Sequence, residues 1–244
     1  MGDSITHIGT GPKGWCKYFN NIMRPELYVN TAIPSARWTD YENTIYDGNP
    51  VRIDGDQAEV NPNNVMGNQV QKVLNYKANG VYQCQTFDII MIAMGTNDEP
   101  SYVTNELANE SWKRQFTNTD NTVVPLDSVD RKTIAGAFRW SIEKLREAYP
   151  NAQIFICTPI QSGLTSTKYV YDSTYAKVEY LKLLAKRMSV PVIDTFECGI
   201  CDVIEEDGTG GFLEDELHPT EEGAKRIGYY NAQAVISKYQ NRLV

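Results

Sequence analysis

Short runs of consecutive apolar residues alternate along this chain with longer segments whose apolar residues recur at helical spacing. Residues 88–94 (DIIMIAM) and 153–158 (QIFICT) are the clearest runs, and unbroken apolar stretches of this length suit strands buried on both faces. Residues 190–194 (VPVID) form a shorter strand candidate, with Pro191 near its start, where a missing N–H is tolerated. Residues 27–30 form another. Between these runs the period changes to that of a helix. Trp15, Phe19 and Ile22 share one face, and Val70, Val73 and Leu74 share another that Asn79-Gly80 would end. Ala135, Phe138, Ile142 and Leu145 make a stripe that stops at Pro150, and Tyr175, Val178, Leu181 and Ala185 make the next. A last helix is predicted after Thr220, a residue suited to cap it, with Glu221 and Glu222 in the first turn and Ala224, Ile227 and Val235 buried. Strands alternating with amphipathic helices predict βα units around a parallel sheet.

Two stretches break the alternation. Residues 38–64 and 99–130 are polar, rich in Asn, Asp and Thr, and without clear periodicity, which predicts long loops. Both follow expected strand ends, where an open α/β sheet places its ligand site. They carry Trp38, Tyr41, Tyr46, Tyr102 and Trp112, whose flat apolar rings are of the kind that stack on sugars. The same residues serve equally as ordinary loop anchors.

Composition narrows the function classes. A chain of 244 residues, 41% hydrophobic, can fold as one α/β domain spanning 1–244. It has no run of 18 apolar residues, so no membrane span is expected. A net charge of −8 argues against a nucleic-acid partner, which would need a basic footprint, and against anionic membrane surfaces. The five cysteines, at 16, 84, 157, 198 and 201, are too scattered for a disulfide framework. Cys198 and Cys201 form a lone C-x-x-C. With no second ligand pair and only two histidines in the chain, a local disulfide or two free thiols is expected there rather than zinc. Met1 runs directly into Gly2, so no secretory signal is expected.

Three short motifs carry chemistry. His218 lies in Asp215-Glu216-Leu217-His218-Pro219, just before the last helix. An Asp three residues before a His on a tight turn can reach the imidazole Nδ1, leaving Nε2 free to take a proton from a hydroxyl. The second motif is Gly2-Asp3-Ser4-Ile5-Thr6. The third is Met94-Gly95-Thr96-Asn97-Asp98, directly after the best strand, where an Asn side chain can point into a cleft or merely form a turn. No G-x-S-x-G occurs, so an α/β-hydrolase elbow is excluded. The other histidine, His7, sits three residues from Ser4 on the same local turn. That geometry is poor for holding a separate orienting acid, and His7 reads as a cleft-wall or surface residue.

In order and spacing, the three motifs resemble the blocks of the SGNH (GDSL-type) serine esterase family: Gly-Asp-Ser early, Gly-x-Asn-Asp in the middle, Asp-x-x-His late. The resemblance spans nearly the whole chain. It implies a three-layer α/β/α sandwich, flavodoxin-like, with no metal or organic cofactor. It maps Ser4 to the nucleophile and His218 and Asp215 to the rest of a triad. It maps Asn97 and the backbone N–H of Ser4 to an oxyanion hole. The family's remaining donor is a backbone N–H at a glycine. Here the matching segment, Asn30 to Ser35, places Ser35 there, and a donor survives the change if the backbone tolerates a Cβ. Almost nothing precedes Gly2, where the family has a buried strand, so the domain is expected to lack its first strand. Trp38 and Asp98 are expected to border the substrate. The expected substrate is a small-molecule or glycan ester, with removal of small acyl groups, acetyl first among them, from carbohydrate as the leading expectation. The alternatives are a lipase or lysophospholipase, an acyltransferase with the same triad, and an inactive carbohydrate-binding module.

Overall fold

The computed structural model of the protein describes residues 1–46, 63–81 and 86–239. Its sheet has strands β1 (Ile89–Ala93), β2 (Gln153–Cys157) and β3 (Val192–Ile193), parallel and in that spatial order. Ile90 lies opposite Ile154, Ala93 opposite Cys157, and Cys157 opposite Ile193. The two apolar runs thus become adjacent central strands, and the VPVID run contributes only two residues of ladder.

On the other side of β1 runs the start of the chain. Gly2 bridges Ala93 in parallel, and the Ala93 N–H donates to the Met1 carbonyl at 3.1 Å. The Ile33 N–H in turn donates to the Gly2 carbonyl at 3.1 Å. Met1 and Gly2 therefore run beside β1 in the strand position that leads into Ser4. No strand forms at 27–30, because the contact beside Gly2 is made further along, at Ile33. Gly2 itself allows this approach: a Cβ there would lie 2.5 Å from the Ala93 carbonyl oxygen and 2.7 Å from Thr6 Oγ1.

The helices are α1 (Ser4–His7), α2 (Trp15–Met23), α3 (Met66–Ala78), α4 (Pro100–Ala108), α5 (Ile134–Ala148), α6 (Tyr171–Arg187), α7 (Asp202–Glu206) and α8 (Glu221–Lys238). Successive strand side chains point to opposite faces, and they separate into two cores. Ile90, Ile92, Ile154 and Ile156 join Val70, Phe138, Ile142 and Leu181 from α3, α5 and α6. Phe155, Cys157 and Ile193 join Trp15, Phe19, Ile227 and Val235 from α2 and α8. This is a three-layer α/β/α sandwich. Capping follows local chemistry: Thr133 accepts from the Gly136 N–H to start α5, and Thr220 accepts from the Gly223 N–H to start α8.

Two expectations change. Residues 99–130 are not one long loop: they hold α4, opened by Pro100, and short 3₁₀ turns at Ser111–Gln115 and Leu126–Ser128. The periodicity of α4 is hidden because its buried residues are Val103 and a carboxylate, Glu106. Glu106 accepts from the Ile134 and Ala135 N–H groups at the start of α5 and from the Tyr180 hydroxyl. Tyr175, expected on the buried stripe of α6, is 43% exposed. Residues 47–62 of the other polar stretch, and Cys84, lie outside the described residues. The other four cysteines are free thiols. Among the described residues, no helix is long and apolar enough to cross a membrane.

Candidate active site

The C-terminal ends of the strands carry the candidate residues. Gly2 leads into Asp3, whose carboxylate accepts from the Ile5 N–H and caps α1, so that Ser4 is the first helical residue. Ser4 Oγ lies 2.8 Å from His218 Nε2, and His218 Nδ1 lies 2.7 Å from Asp215 Oδ2. Ser4 and a pair of residues more than 200 positions away thus form one continuous hydrogen-bonded relay. A hydroxyl bonded to Nε2, with an acid on Nδ1, is an arrangement that can move a proton off the hydroxyl.

The Asp215–His218 turn is built for this reach. Asp215 Oδ1 accepts from the backbone N–H groups of Leu217 at 3.2 Å and His218 at 2.6 Å, leaving Oδ2 for the ring. Glu216 adopts the left-handed conformation, φ 63°, which turns the chain sharply enough to bring the acid round. Leu213 and Pro219 pair across the base of the turn, and the Glu214 N–H donates to the His218 carbonyl at 2.9 Å. The Glu216 carbonyl is held from outside by the Gly163 N–H at 2.8 Å and the Ser162 hydroxyl at 3.0 Å. Partial burial pushes the Asp215 carboxyl up, but the His218 backbone N–H and then its ring outweigh this and hold it below the ordinary value. Asp3 behaves oppositely: burial, only partly offset by the Thr96 hydroxyl and the Ile5 N–H, raises it to about 6.

Neither the Ser4 nor the Ser35 N–H has an acceptor among the described residues. Asn97 follows β1 on a turn opened by Gly95, φ 128°, where a Cβ would lie 2.9 Å from Leu181 Cδ1. Asn97 Nδ2 donates to the Ala36 carbonyl at 3.0 Å, which uses one of its two hydrogens and leaves the other. Ser35 has φ 57°, the left-handed region that a Cβ disfavours by about 1–2 kcal/mol. The backbone there keeps the shape a glycine would take. Ser35→Gly should therefore raise stability by up to about 1 kcal/mol, once glycine's extra unfolded-state entropy is subtracted. A lower denaturation midpoint in that variant would contradict this.

Trp38 and Asp98 are corrected. Trp38 has no exposed surface and packs on Phe138 with ring centroids 5.0 Å apart, so its indole cannot meet a substrate. Asp98, 1% exposed, accepts from the Trp38 N–H at 3.0 Å and the Thr39 N–H at 3.3 Å. Burial raises its carboxyl, against those N–H groups and the Lys177 ammonium. It joins the Asn97 turn to the segment after Ser35. The remaining loop aromatics are also anchors. Tyr46 stacks on Trp140, Trp112 meets Phe116 edge-on, and the Arg37 guanidinium lies 3.5 Å from the Tyr41 ring centroid and 5.8 Å from that of Tyr102. His7 Nδ1 bonds the Ala32 carbonyl at 2.8 Å, tying α1 to the Ser35 segment. Sequence reasoning missed Ser162, Gly163 and Lys177. Lys177 alone had a visible signal: it sits in the apolar stripe of α6 with Thr174, Val178 and Leu181.

The fold and the relay define a class of ester-hydrolysing enzymes with a serine at the N-terminus of the first helix. The model of the GDSL-like lipase/acylhydrolase family matches residues 1–226, and the chain belongs to that family. No curated protein matches the chain in sequence. Several solved structures share the fold. One is a protein from Lactobacillus plantarum, 15% identical with a TM-score of 0.60, over 98% of this chain and 95% of that one. Another, described as a possible lipase from Chitinophaga pinensis, is 16% identical with a TM-score of 0.55, over 99% and 98%. A third is a catalytic mutant of an acetylxylan esterase from Geobacillus stearothermophilus, 16% identical with a TM-score of 0.50, over 96% and 91%.

Proposed function

We propose that the chain hydrolyses small acyl esters, acetyl above all, on carbohydrate, with Ser4 as nucleophile, His218 as general base and Asp215 as its orienting acid. The observation that carries the catalytic part is the relay from Ser4 Oγ through His218 to Asp215 Oδ2, with both hydrogen bonds at 2.7–2.8 Å. His218 Nε2 takes the Ser4 proton as Oγ attacks the ester carbonyl. The N–H groups of Ser4 and Ser35 and the second Nδ2–H of Asn97 receive the oxyanion. His218 then gives its proton to the leaving alcohol, and a water activated in the same way releases the acid. The His218 side chain is 29% exposed and that of Asp215 56%, so water can reach the relay.

The acyl preference is supported by the acetylxylan esterases that share the fold. The loop aromatics Trp38, Tyr41, Tyr46, Tyr102 and Trp112 do not add to it, since each already packs against another side chain. The test is a comparison of p-nitrophenyl acetate, p-nitrophenyl octanoate and acetylated xylo-oligosaccharides. The expected order in kcat/KM is oligosaccharide, then acetate, then octanoate. A preference for octanoate would replace the small-acyl reading with a lipase while leaving the relay intact.

A further inference from the structure

Lys177 projects from the buried stripe of α6 and is 2% exposed. A buried ammonium is costly unless its donors are satisfied. Lys177 Nζ donates to the Thr96 carbonyl at 2.9 Å, to the Lys168 carbonyl at 3.0 Å and, longer, to the Asp98 carbonyl at 3.5 Å. One cation thereby gathers two segments: the turn after β1 that carries Asn97, and the loop of residues 158–170 between β2 and α6. The Lys168 ammonium adds a second tie, 3.1 Å from Glu99 Oε1. The next residue, Tyr169, lies with its ring centroid 5.8 Å from Lys177 Nζ, and its hydroxyl donates to Asn97 Oδ1 at 3.4 Å.

We propose that Tyr169, docked by Lys177, is a positioning residue that orients and polarises the Asn97 amide. This rests on the reading of Asn97 as an oxyanion donor. The amide is held at both ends: Oδ1 accepts from Tyr169, and one Nδ2–H goes to Ala36. With those two bonds made, the amide cannot flip, and its second N–H has a single direction left. A hydrogen bond accepted by Oδ1 also draws electrons through the amide and strengthens its N–H as a donor. At 3.4 Å the bond is long in the free enzyme, and such bonds tighten as charge develops on the reacting oxygen. The same loop holds the Glu216 carbonyl through Ser162 and Gly163, so it braces both the donor Asn97 and the turn of the general base.

The test is a double-mutant cycle on steady-state kinetics with p-nitrophenyl acetate. Tyr169→Phe keeps the ring and deletes only the hydroxyl. It should lower kcat about 3- to 10-fold with KM unchanged, the effect of one modest hydrogen bond felt only in the transition state. In an Asn97→Ala background, the same change should have no further effect on kcat. An equal loss in both backgrounds, or a loss confined to KM, would overturn the inference while leaving Asn97 as a donor. Were Asn97→Ala itself as active as the parent, both the donor reading and the inference built on it would fall.

Discussion

Replacing Ser4 with alanine should lower kcat by about 10⁴- to 10⁶-fold, the range seen when a triad's nucleophile is removed and only binding and the oxyanion donors remain. The fold should be almost unaffected. Ser4 is partly exposed at the first position of α1, and its Oγ is bonded to His218 Nε2 rather than to a buried backbone group. The change leaves no orphaned polar atom in the core, so the stability difference should stay within about 0.5 kcal/mol. The paired measurement is covalent. A fluorophosphonate probe should add its mass to the peptide that holds Ser4 in the parent and to no peptide in the variant. Labelling of a different serine, or substantial turnover by the variant, would move the nucleophile elsewhere. The double readout separates loss of chemistry from loss of folded protein, which activity alone cannot do.

What was legible in the sequence depended on the range of the interactions involved. The central strands β1 and β2 were plain because each packs against helices on both faces, β1 only partly buried on one of them, and an unbroken apolar run records that directly. Helix α5 was plain because its buried stripe is long and apolar and ends at a proline. Helix α4 was not, because a buried glutamate satisfied by α5 looks polar in a linear pattern. The 158–170 loop was silent for a related reason. Two of its ties run through backbone groups, the Gly163 N–H and the Lys168 carbonyl, and backbone chemistry is the same at every residue. Trp38 was misread because its burial is decided by partners far along the chain: Asp98 draws its N–H inward and Phe138 receives its ring. The Asp-x-x-His motif could be read because the acid, the turn and the ring are neighbours in sequence. The 2.8 Å contact to Ser4, 214 residues away, needed the whole sandwich.

Asp215→Asn should lower kcat by about 10³- to 10⁴-fold, and more than Asp215→Ala does. The geometry of the turn gives the reason. Oδ1 of Asp215 is committed to the Leu217 and His218 N–H groups, and Oδ2 faces the ring. An asparagine would keep its carbonyl oxygen on the two backbone donors, because its NH₂, itself a donor, would find no acceptor there. Its NH₂ would then face His218 Nδ1, which must become an acceptor. The ring proton would move to Nε2, the atom that has to take the Ser4 proton, and the base would be blocked. Alanine imposes no tautomer, so part of the population stays competent, but it abandons both backbone N–H groups and should loosen the turn. The two variants should therefore cross over, asparagine being worse in kcat and alanine worse in thermal stability. Acidity gives an independent check. The folded carboxyl is held below its ordinary value, so its contribution to stability is present above about pH 4 and is lost as pH falls through the lower folded value. Asp215→Asn should remove that acid-side loss from the stability profile. If asparagine and alanine reduce kcat equally, Asp215 acts through its charge alone, and the tautomer argument is wrong.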